Sequence, residues 1–376
     1  MKSEFFCNEL KKSGFGPFTG VPCSLLKHVI NYILDSDDIE YYTVSSEGEA
    51  MGLAGGFSLT GKIPVVMMQN DGYGNAVNPI SSLQLLYKLP CLLIITWRGE
   101  PEKPDAPQHR IMGETIRELL SIFKIPFKIL EDDTDKFKEN LDEANRYINK
   151  NSLPFAFIIK KGFFEEYAKK RKDHESKNGL STRIDFLKEL SKIIKPPDII
   201  IGATGFTGRE VMQKLSHKGK FYMVGSMGCA ASIGLGIALE NPNRKVYVLD
   251  GDGALLMKMG TLSTVGFYKP ENLIHICFDN TQYESTGGQK TSSSVVKFSK
   301  IAKNSNYSTA YKTDSINDFK EILNKILKIK GPHFIHTLIK PGTFKDLERP
   351  SGTPIEMKEN LREFINLKNF KKTDKK

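Results

Sequence analysis

Short apolar runs recur along the chain, each separated from the next by a helix-length stretch of mixed polarity. In the first half they cover Glu40–Val44, Ile63–Met68, Pro90–Thr96, Phe127–Leu130 and Pro154–Ile159. After a stretch rich in Lys, Glu, Asp and Asn they start again, at Asp198–Ile201, Phe221–Val224, Lys245–Leu249, Asn272–Phe278 and Pro332–Ile339. A strand with one wet face alternates apolar and polar positions, whereas these runs are apolar on both faces. That is the mark of parallel strands covered by helices on either side. The pattern therefore predicts an α/β protein with two doubly wound parallel-sheet domains. Residues 1–164 form the first, 165–182 a charged linker, and 183–376 the second, with a Lys-rich tail. Ligands of such sheets bind beyond the carboxyl ends of the strands, so the loops after the apolar runs are where chemistry is expected.

Composition narrows the class. A chain of 376 residues exceeds one ordinary core. With 39% hydrophobic and 10% aromatic residues it can fill two, which excludes disorder for the bulk of the chain. The longest apolar run, Cys91 to Trp97, is far short of the ~18 residues of a membrane span. Met1 to Leu10 lacks the apolar stretch of a secretory signal. The net charge of +10 permits an anionic partner without naming one, and five lysines between Lys368 and Lys376 supply part of it. No helix-turn-helix, zinc-finger or RNA-binding pattern accompanies the charge, so no nucleic-acid partner is expected. The five cysteines are scattered without a CxxC pair, which points to reduced thiols in a cytoplasm. His333 and His336 share a predicted strand, where an i,i+3 pair points to opposite faces and makes a poor metal pair.

Five loops carry candidate chemistry. Leu249-Asp250-Gly251-Asp252-Gly253 follows a strand, and its glycines let the backbone turn beside a ligand while Asp252 projects a hard oxygen donor. Asp279-Asn280 closes the next strand, 26 residues beyond Gly253, so a carboxylate and an amide oxygen reach neighbouring strand ends. That donor set suits Mg²⁺ or Ca²⁺ with phosphates and water completing the shell. Gly202 to Glu210 opens a helix with the spacing GxxGxxG, which suits a phosphate at a helix N-terminus. It is not the GxGxxG of dinucleotide sites, and no GxxxxGK[ST] is present, so NAD and P-loop nucleotides are disfavoured. Ser46 and Glu49 form a capping box, which leaves Glu47 in the first helical turn, on residues alone a solvated charge complementing the helix dipole. Gln69 to Asn78 is crowded with amides and glycines, and Trp97 to Arg110 carries Arg98, His109 and Arg110. Arginine forks suit carboxylate or phosphonate oxygens.

Together these stretches resemble the thiamine-diphosphate-dependent enzymes. The Gly251-Asp252-Gly253 to Asn280 spacing resembles their metal and diphosphate motif, and Ser46-Glu47 with Gly56-Phe57 resembles their cofactor-activating helix. Gly20 to Ser24, Gln69 to Pro79, Trp97 to Pro101, Pro107 to His109, Gly225 to Gly228 and Ser285 to Gln289 are similar to the phosphonopyruvate decarboxylases, with the sulfopyruvate decarboxylases next. The resemblance implies a pyrimidine-binding domain followed by a diphosphate-binding domain, with no third domain between.

It also implies roles. Asp252, Asn280 and the carbonyl of Gln282 would hold Mg²⁺, and Thr204, Gly205, Gly251 and Gly253 would cradle the diphosphate. Gly225, Ser226 and Met227 would shape the bent cofactor. Glu47 would reach the pyrimidine, and Asn75 would also contact the cofactor. His109 would take part in catalysis, and Arg98, Arg110, Asn70 and Asp71 would meet the substrate. The implied reaction is decarboxylation of 3-phosphonopyruvate to phosphonoacetaldehyde and carbon dioxide. Sulfopyruvate or another anionic 2-oxo acid is the alternative substrate. The implied partner is a second copy of the chain, in a homodimer or larger. Three positions depart from the pattern of the resemblance: Asp71, Tyr73 and Cys229. Asp71 adds negative charge where a dianionic tail should bind, and the three together leave room for a non-catalytic cofactor-binding regulator.

Overall fold

The computed structural model describes residues 1–171, 179–350 and 352–366. The centre of the expected linker, 172–178, and the end of the Lys-rich tail lie outside the described residues. Contacts divide the chain into two units. The first comprises the described residues up to 171 together with 286–290, and the second those from 179 to 285 and from 291 onward. Each is built on one six-stranded sheet.

The first sheet contains β1 (Phe15–Gly20), β2 (Tyr41–Thr43), β3 (Ile63–Gln69), β4 (Leu92–Thr96), β5 (Phe127–Ile129) and β6 (Phe155–Ile159). Their order is β2-β1-β3-β4-β6-β5, and every pairing is parallel. The second sheet contains β7 (Ile199–Gly202), β8 (Lys220–Tyr222), β9 (Val246–Gly251), β10 (Leu273–Asp279) and the strands Thr309–Thr313 and His333–Leu338. From one edge it runs Thr309–Thr313, His333–Leu338, β10, β9, β7, β8, again wholly parallel. Strands β4, β6 and β10 are buried along their whole length, as the two-faced apolar runs require. A phenylalanine-rich core fills one side of the first sheet, with Phe6 stacked on Phe137 at 4.8 Å.

Two strands escape the apolar-run criterion. β1 reads Phe-Gly-Pro-Phe-Thr-Gly, and its glycines and proline look like turn punctuation. It nevertheless lies between β2 and β3, and its register slips at Phe15/Gly16, just before the proline. Gly20 at its end runs so close to β3 that a Cβ there would fall 1.9 Å from the Met67 carbonyl oxygen. The other, Thr309–Thr313, is an edge strand with only its last residue buried, so its sequence carries little apolar signal.

The strand order matters for function. Neighbouring parallel strands deliver their carboxyl ends to one sheet edge. In the first unit the loops after β2, β3 and β4 bring Glu47, Asn70 and Arg98 to that edge. In the second, the loops after β7, β8, β9 and β10 bring Thr204, Gly225, Asp252 and Asn280 together in the same way. Among the described residues no helix is long and apolar enough to cross a membrane.

Candidate active site

Glu47 opens the helix Glu47–Leu59, whose N-cap is Ser46. The Ser46 hydroxyl accepts from the Glu49 amide at 3.3 Å, and the Glu49 carboxylate accepts from the Ser45 amide at 2.9 Å. The cap is therefore close to the expected box, with the return bond made one residue earlier. Glu47 itself is not the solvated helix-end charge that its position suggests: it is only 5% exposed. Asn75, on the helix Asn70–Pro79, donates to Glu47 Oε2 at 2.8 Å. Gly72 on the same helix faces the other oxygen so closely that a Cβ there would lie 2.2 Å from Glu47 Oε1. A buried carboxylate is costly unless hydrogen-bonded. One Glu47 oxygen has a side-chain donor, and the other lies beside Gly72, where a side chain would displace it.

The loops after β3 and β4 lock onto each other. Asn70 is fully buried; its amide nitrogen donates to the Arg98 carbonyl at 2.7 Å and its amide oxygen accepts from the Arg98 amide at 3.0 Å. Both ends of the Asn70 side chain are thus engaged within the protein. Asp71 Oδ2 accepts from Gln69 Nε2 at 2.8 Å and lies 2.8 Å from His109 Nδ1. Gln108 Nε2 lies 3.4 Å from His109 Nε2. Nδ1 thus faces the Asp71 carboxylate and, at 3.2 Å, the Gln69 amide nitrogen, while Nε2 faces the Gln108 amide. The negative charge of Asp71 is directed at this imidazole. Two glycines let the segments cross: a Cβ on Gly99 would sit 2.1 Å from the His109 carbonyl oxygen, and one on Gly113 would sit 1.8 Å from that of Gly99.

Arg98 is already paired. Its Nε and Nη2 donate to the two oxygens of Asp105 at 2.7 and 2.5 Å, and its Nη1 donates to Ser24 Oγ at 3.3 Å. Asp105 also accepts from the amides of Gly99 and Ala106 at 2.9 and 2.8 Å. Burial alone would raise the Asp105 carboxyl, but the guanidinium and the two amides outweigh it and hold the group well below the usual carboxylate range. Asp105 thus ties the ends of the loop from Gly99 to Ala106 to one guanidinium. Arg110 stands apart on the surface, with only Glu114 within 3.9 Å.

In the second unit Asp252 is 3% exposed at the end of β9, and Asn280 is also buried, one residue beyond β10. Asp252 Oδ2, Thr291 Oγ1, Ser293 Oγ and Asp279 Oδ1 form a chain of contacts of 2.6, 2.9 and 2.8 Å. Two hydroxyls bring two protons to three contacts, so the chain is fully bonded only when a carboxyl carries the third. Burial, followed by the charge of Asp279, pushes the Asp252 carboxyl up to about 7. Its described partners are hydroxyls and a main-chain amide, with no basic side chain among them. Asn280 Oδ1 accepts from the Gln282 amide at 3.1 Å, and Asn280 Nδ2 donates to Glu284 at 2.9 Å. A Cβ on Gly253 would lie 2.6 Å from the Tyr283 ring, so these two loops need the glycine to pack.

The remaining expected residues lie on neighbouring loops of the same unit. Gly205, at φ +81°, caps the helix Phe206–Lys214, with Thr204 just before it and Ser285 Oγ 3.3 Å from where its Cβ would be. Gly225, Ser226 and Met227 follow β8, with Ser226 held at φ +47° and Met227 packed against the core. Two of the departing positions have simple structural accounts. Tyr73 is fully buried core, and Cys229 is the N-cap residue of the helix Ala230–Glu240. The residues that sequence reasoning passed over are Gly72, Asp105, Glu284, Thr291 and Ser293. Only Asp105 left a trace, as an acid seven residues from Arg98 in one loop.

The Arg98–Asp105 latch has a measurable signature. A carboxyl whose folded value is depressed adds stability above its unfolded value of ~3.9, and loses it as the pH falls toward the folded one. Asp105→Asn should lower stability by about 1–2 kcal/mol at neutral pH. In thermal melts across pH the gap to wild type should narrow below about pH 4. A gap that stays constant there would show that the pair is not the source.

Comparison with known proteins agrees with this geometry. Residues 3–117 match the N-terminal TPP-binding domain of thiamine pyrophosphate enzymes, and residues 202–337 match the C-terminal one. The chain is 35% identical over 368 residues to a phosphonopyruvate decarboxylase of Streptomyces viridochromogenes, covering 94% of this chain and 92% of that one. It is 36% identical to a phosphonopyruvate decarboxylase of Streptomyces hygroscopicus, covering 94% and 91%. A sulfopyruvate decarboxylase of Methanosarcina acetivorans is 25% identical, covering 96% and 97%. With both cofactor-binding domains in one polypeptide and near-complete alignment to these relatives, the chain belongs to the thiamine pyrophosphate enzymes, in the phosphonopyruvate decarboxylase family.

Proposed function

We propose that the protein catalyses the thiamine-diphosphate- and Mg²⁺-dependent, non-oxidative decarboxylation of 3-phosphonopyruvate to phosphonoacetaldehyde and carbon dioxide. The observation that carries this reading is the identity of 35% and 36% to two phosphonopyruvate decarboxylases along nearly the whole chain, against 25% to a sulfopyruvate decarboxylase. Sulfopyruvate remains the second reading, because it offers the same 2-oxo acid with a different anionic tail.

The residues fit the cofactor and the ion. Asp252 is a buried carboxylate whose described hydrogen-bond partners carry no positive charge, and a divalent ion would balance its charge. Among the described residues no cluster of three or more His, Cys, Asp or Glu could hold a metal. An Mg²⁺ held by Asp252, the Asn280 amide oxygen and the Gln282 carbonyl would therefore draw its other ligands from phosphate and water, as this ion prefers. Thr204, Gly205, Gly251 and Gly253 would receive the diphosphate, and Gly225, Ser226 and Met227 the body of the cofactor. When bound, the cofactor supplies a carbon nucleophile and an electron sink for loss of a carboxylate.

The other steps belong to the protein. Asn75 fixes one oxygen of the buried Glu47, and Oε1 would be the atom that exchanges a proton with the cofactor when it is bound. His109, positioned by Asp71 through Nδ1, would present Nε2 as the atom that moves a proton during product formation. The phosphonate would bind near Arg98, whose Nη1 is the guanidinium nitrogen not engaged by Asp105. Asn70 would act by holding that loop to β3, and Arg110 would contribute only surface charge. A homodimer or larger would let two copies share each cofactor. Relatives named as alpha and beta subunits of sulfopyruvate decarboxylase support assembly as a theme of the family. The scattered, free cysteines support a cytoplasmic location.

Incubation with thiamine diphosphate, Mg²⁺ and 3-phosphonopyruvate should release carbon dioxide and phosphonoacetaldehyde, with kcat/KM at least about tenfold above that for sulfopyruvate. The reverse order would overturn the substrate, and release from neither the activity. Glu47→Gln should cut kcat by about 10²–10⁴ with cofactor affinity retained in calorimetry. Gly72→Ala tests the same carboxylate from the other side. Alanine favours a helix over glycine by about 1 kcal/mol, so melting should hold or rise, yet turnover should fall about a hundredfold as the new methyl displaces Glu47. Unchanged turnover in Gly72→Ala would show that the position of Glu47 does not limit the reaction.

A further inference from the structure

Resting on the metal reading above, we infer that Glu284 is a positioning residue that sets which way the Asn280 amide faces, and so whether Asn280 offers the ion an oxygen or a nitrogen. The two ends of an asparagine amide are nearly the same shape, so only their partners decide the orientation. Here two independent partners agree. The Gln282 main-chain N–H, a donor, lies 3.1 Å from Asn280 Oδ1. Glu284 Oε2, an acceptor as carboxylate, lies 2.9 Å from Asn280 Nδ2. Turning the amide over would set nitrogen against N–H at one end and oxygen against carboxylate at the other. Asn280 Oδ1 keeps a second lone pair, which is the one a cation can use.

Glu284 is itself held rigidly enough to do this. Its other oxygen accepts from the main-chain N–H of Gly342. Its Oε2 also lies 3.5 Å from Nη2 of Arg183, a buried guanidinium whose Nε donates to the fully buried Glu210 at 2.9 Å. Glu210 in turn accepts from Thr343 Oγ1 at 2.7 Å. A buried ion cluster thus ends on the one oxygen that orients a proposed metal ligand. Outer partners of this kind commonly change metal affinity by 10–100-fold when removed.

The test is Mn²⁺ binding, followed by electron paramagnetic resonance at saturating thiamine diphosphate on the full chain. Glu284→Ala should weaken Mn²⁺ about tenfold or more, and Glu284→Leu, which fills the space without an acceptor, should do the same if the alanine variant folds poorly. Thr343→Ala, which loosens the same cluster without touching Asn280, should stay within twofold even if its melting temperature drops. At saturating Mn²⁺ the kcat of the alanine variant should be near normal, with only the half-saturating metal concentration raised. Less than threefold weakening in the alanine or leucine variant would overturn the inference. So would a Thr343→Ala loss of equal size. Asn280→Ala is the separate control: if it leaves Mn²⁺ affinity intact, or if wild type takes up no Mn²⁺, the metal reading fails and this inference falls with it.

Discussion

Taking carboxylates out of water is the constraint around which both sites are arranged. A buried acid must be hydrogen-bonded, paired with a cation or neutralised by a proton. The protein uses each answer in a different place. Asp105 is fully answered by a guanidinium and two amides, which makes it a structural latch. Glu47 is half answered, by Asn75 on one oxygen, and the other lies beside Gly72. Asp252 has hydroxyls and an amide but no positive charge, and its carboxyl rises to about 7 in consequence. The less complete the answer, the more the group is suited to act on something that arrives from outside.

How much of this could be read from the chain depends on how local the cause is. Ten of the twelve main-sheet strands lie on apolar runs; for β4, β6 and β10 burial on both faces is the reason, while β2, β5 and β8 are only partly buried. β1 fails the criterion because Gly16, Pro17 and Gly20 serve close packing against Met67 and a register slip beside β3, which are facts about a partner strand. The acid at Asp252 and the amide at Asn280 were visible because each lies in the loop just after an apolar run. The burial of Glu47 was not. It involves Gly72 and Asn75 on the next helix, and although that segment stands out for its amides and glycines, nothing in it says that they pack against Glu47.

The same contrast explains the positions that looked anomalous. Asp71 reads as a misplaced negative charge beside a site for anions, yet its Oδ2 is shared between Gln69 and His109. Arg98 reads as a free fork for an anionic tail, yet both of its best-placed nitrogens are held by Asp105. A sequence shows the sign of each charge but not its partner. The field at a sheet edge depends on those pairings far more than on the count, because a pair in contact largely cancels beyond a few ångströms.

Pairing also accounts for why one acid in particular is left for a cation. Three aspartates, Asp250, Asp252 and Asp279, crowd the ends of β9 and β10. Like charges buried close together raise one another's energy, and the charge of Asp279 adds to burial in raising the Asp252 carboxyl. Buried imidazoles answer two of them. His275 Nε2 lies 3.3 Å from Asp250, and His336 Nε2 lies 2.7 Å from Asp279. Neither histidine stands on the strand of the acid it meets, so parallel register rather than sequence proximity makes both pairs. The second strand-end donor, Asn280, is neutral, which adds an oxygen without adding a charge. What remains is a single unpaired carboxylate, and a divalent ion carrying its own phosphate ligands matches that remainder better than a bare cation cage would.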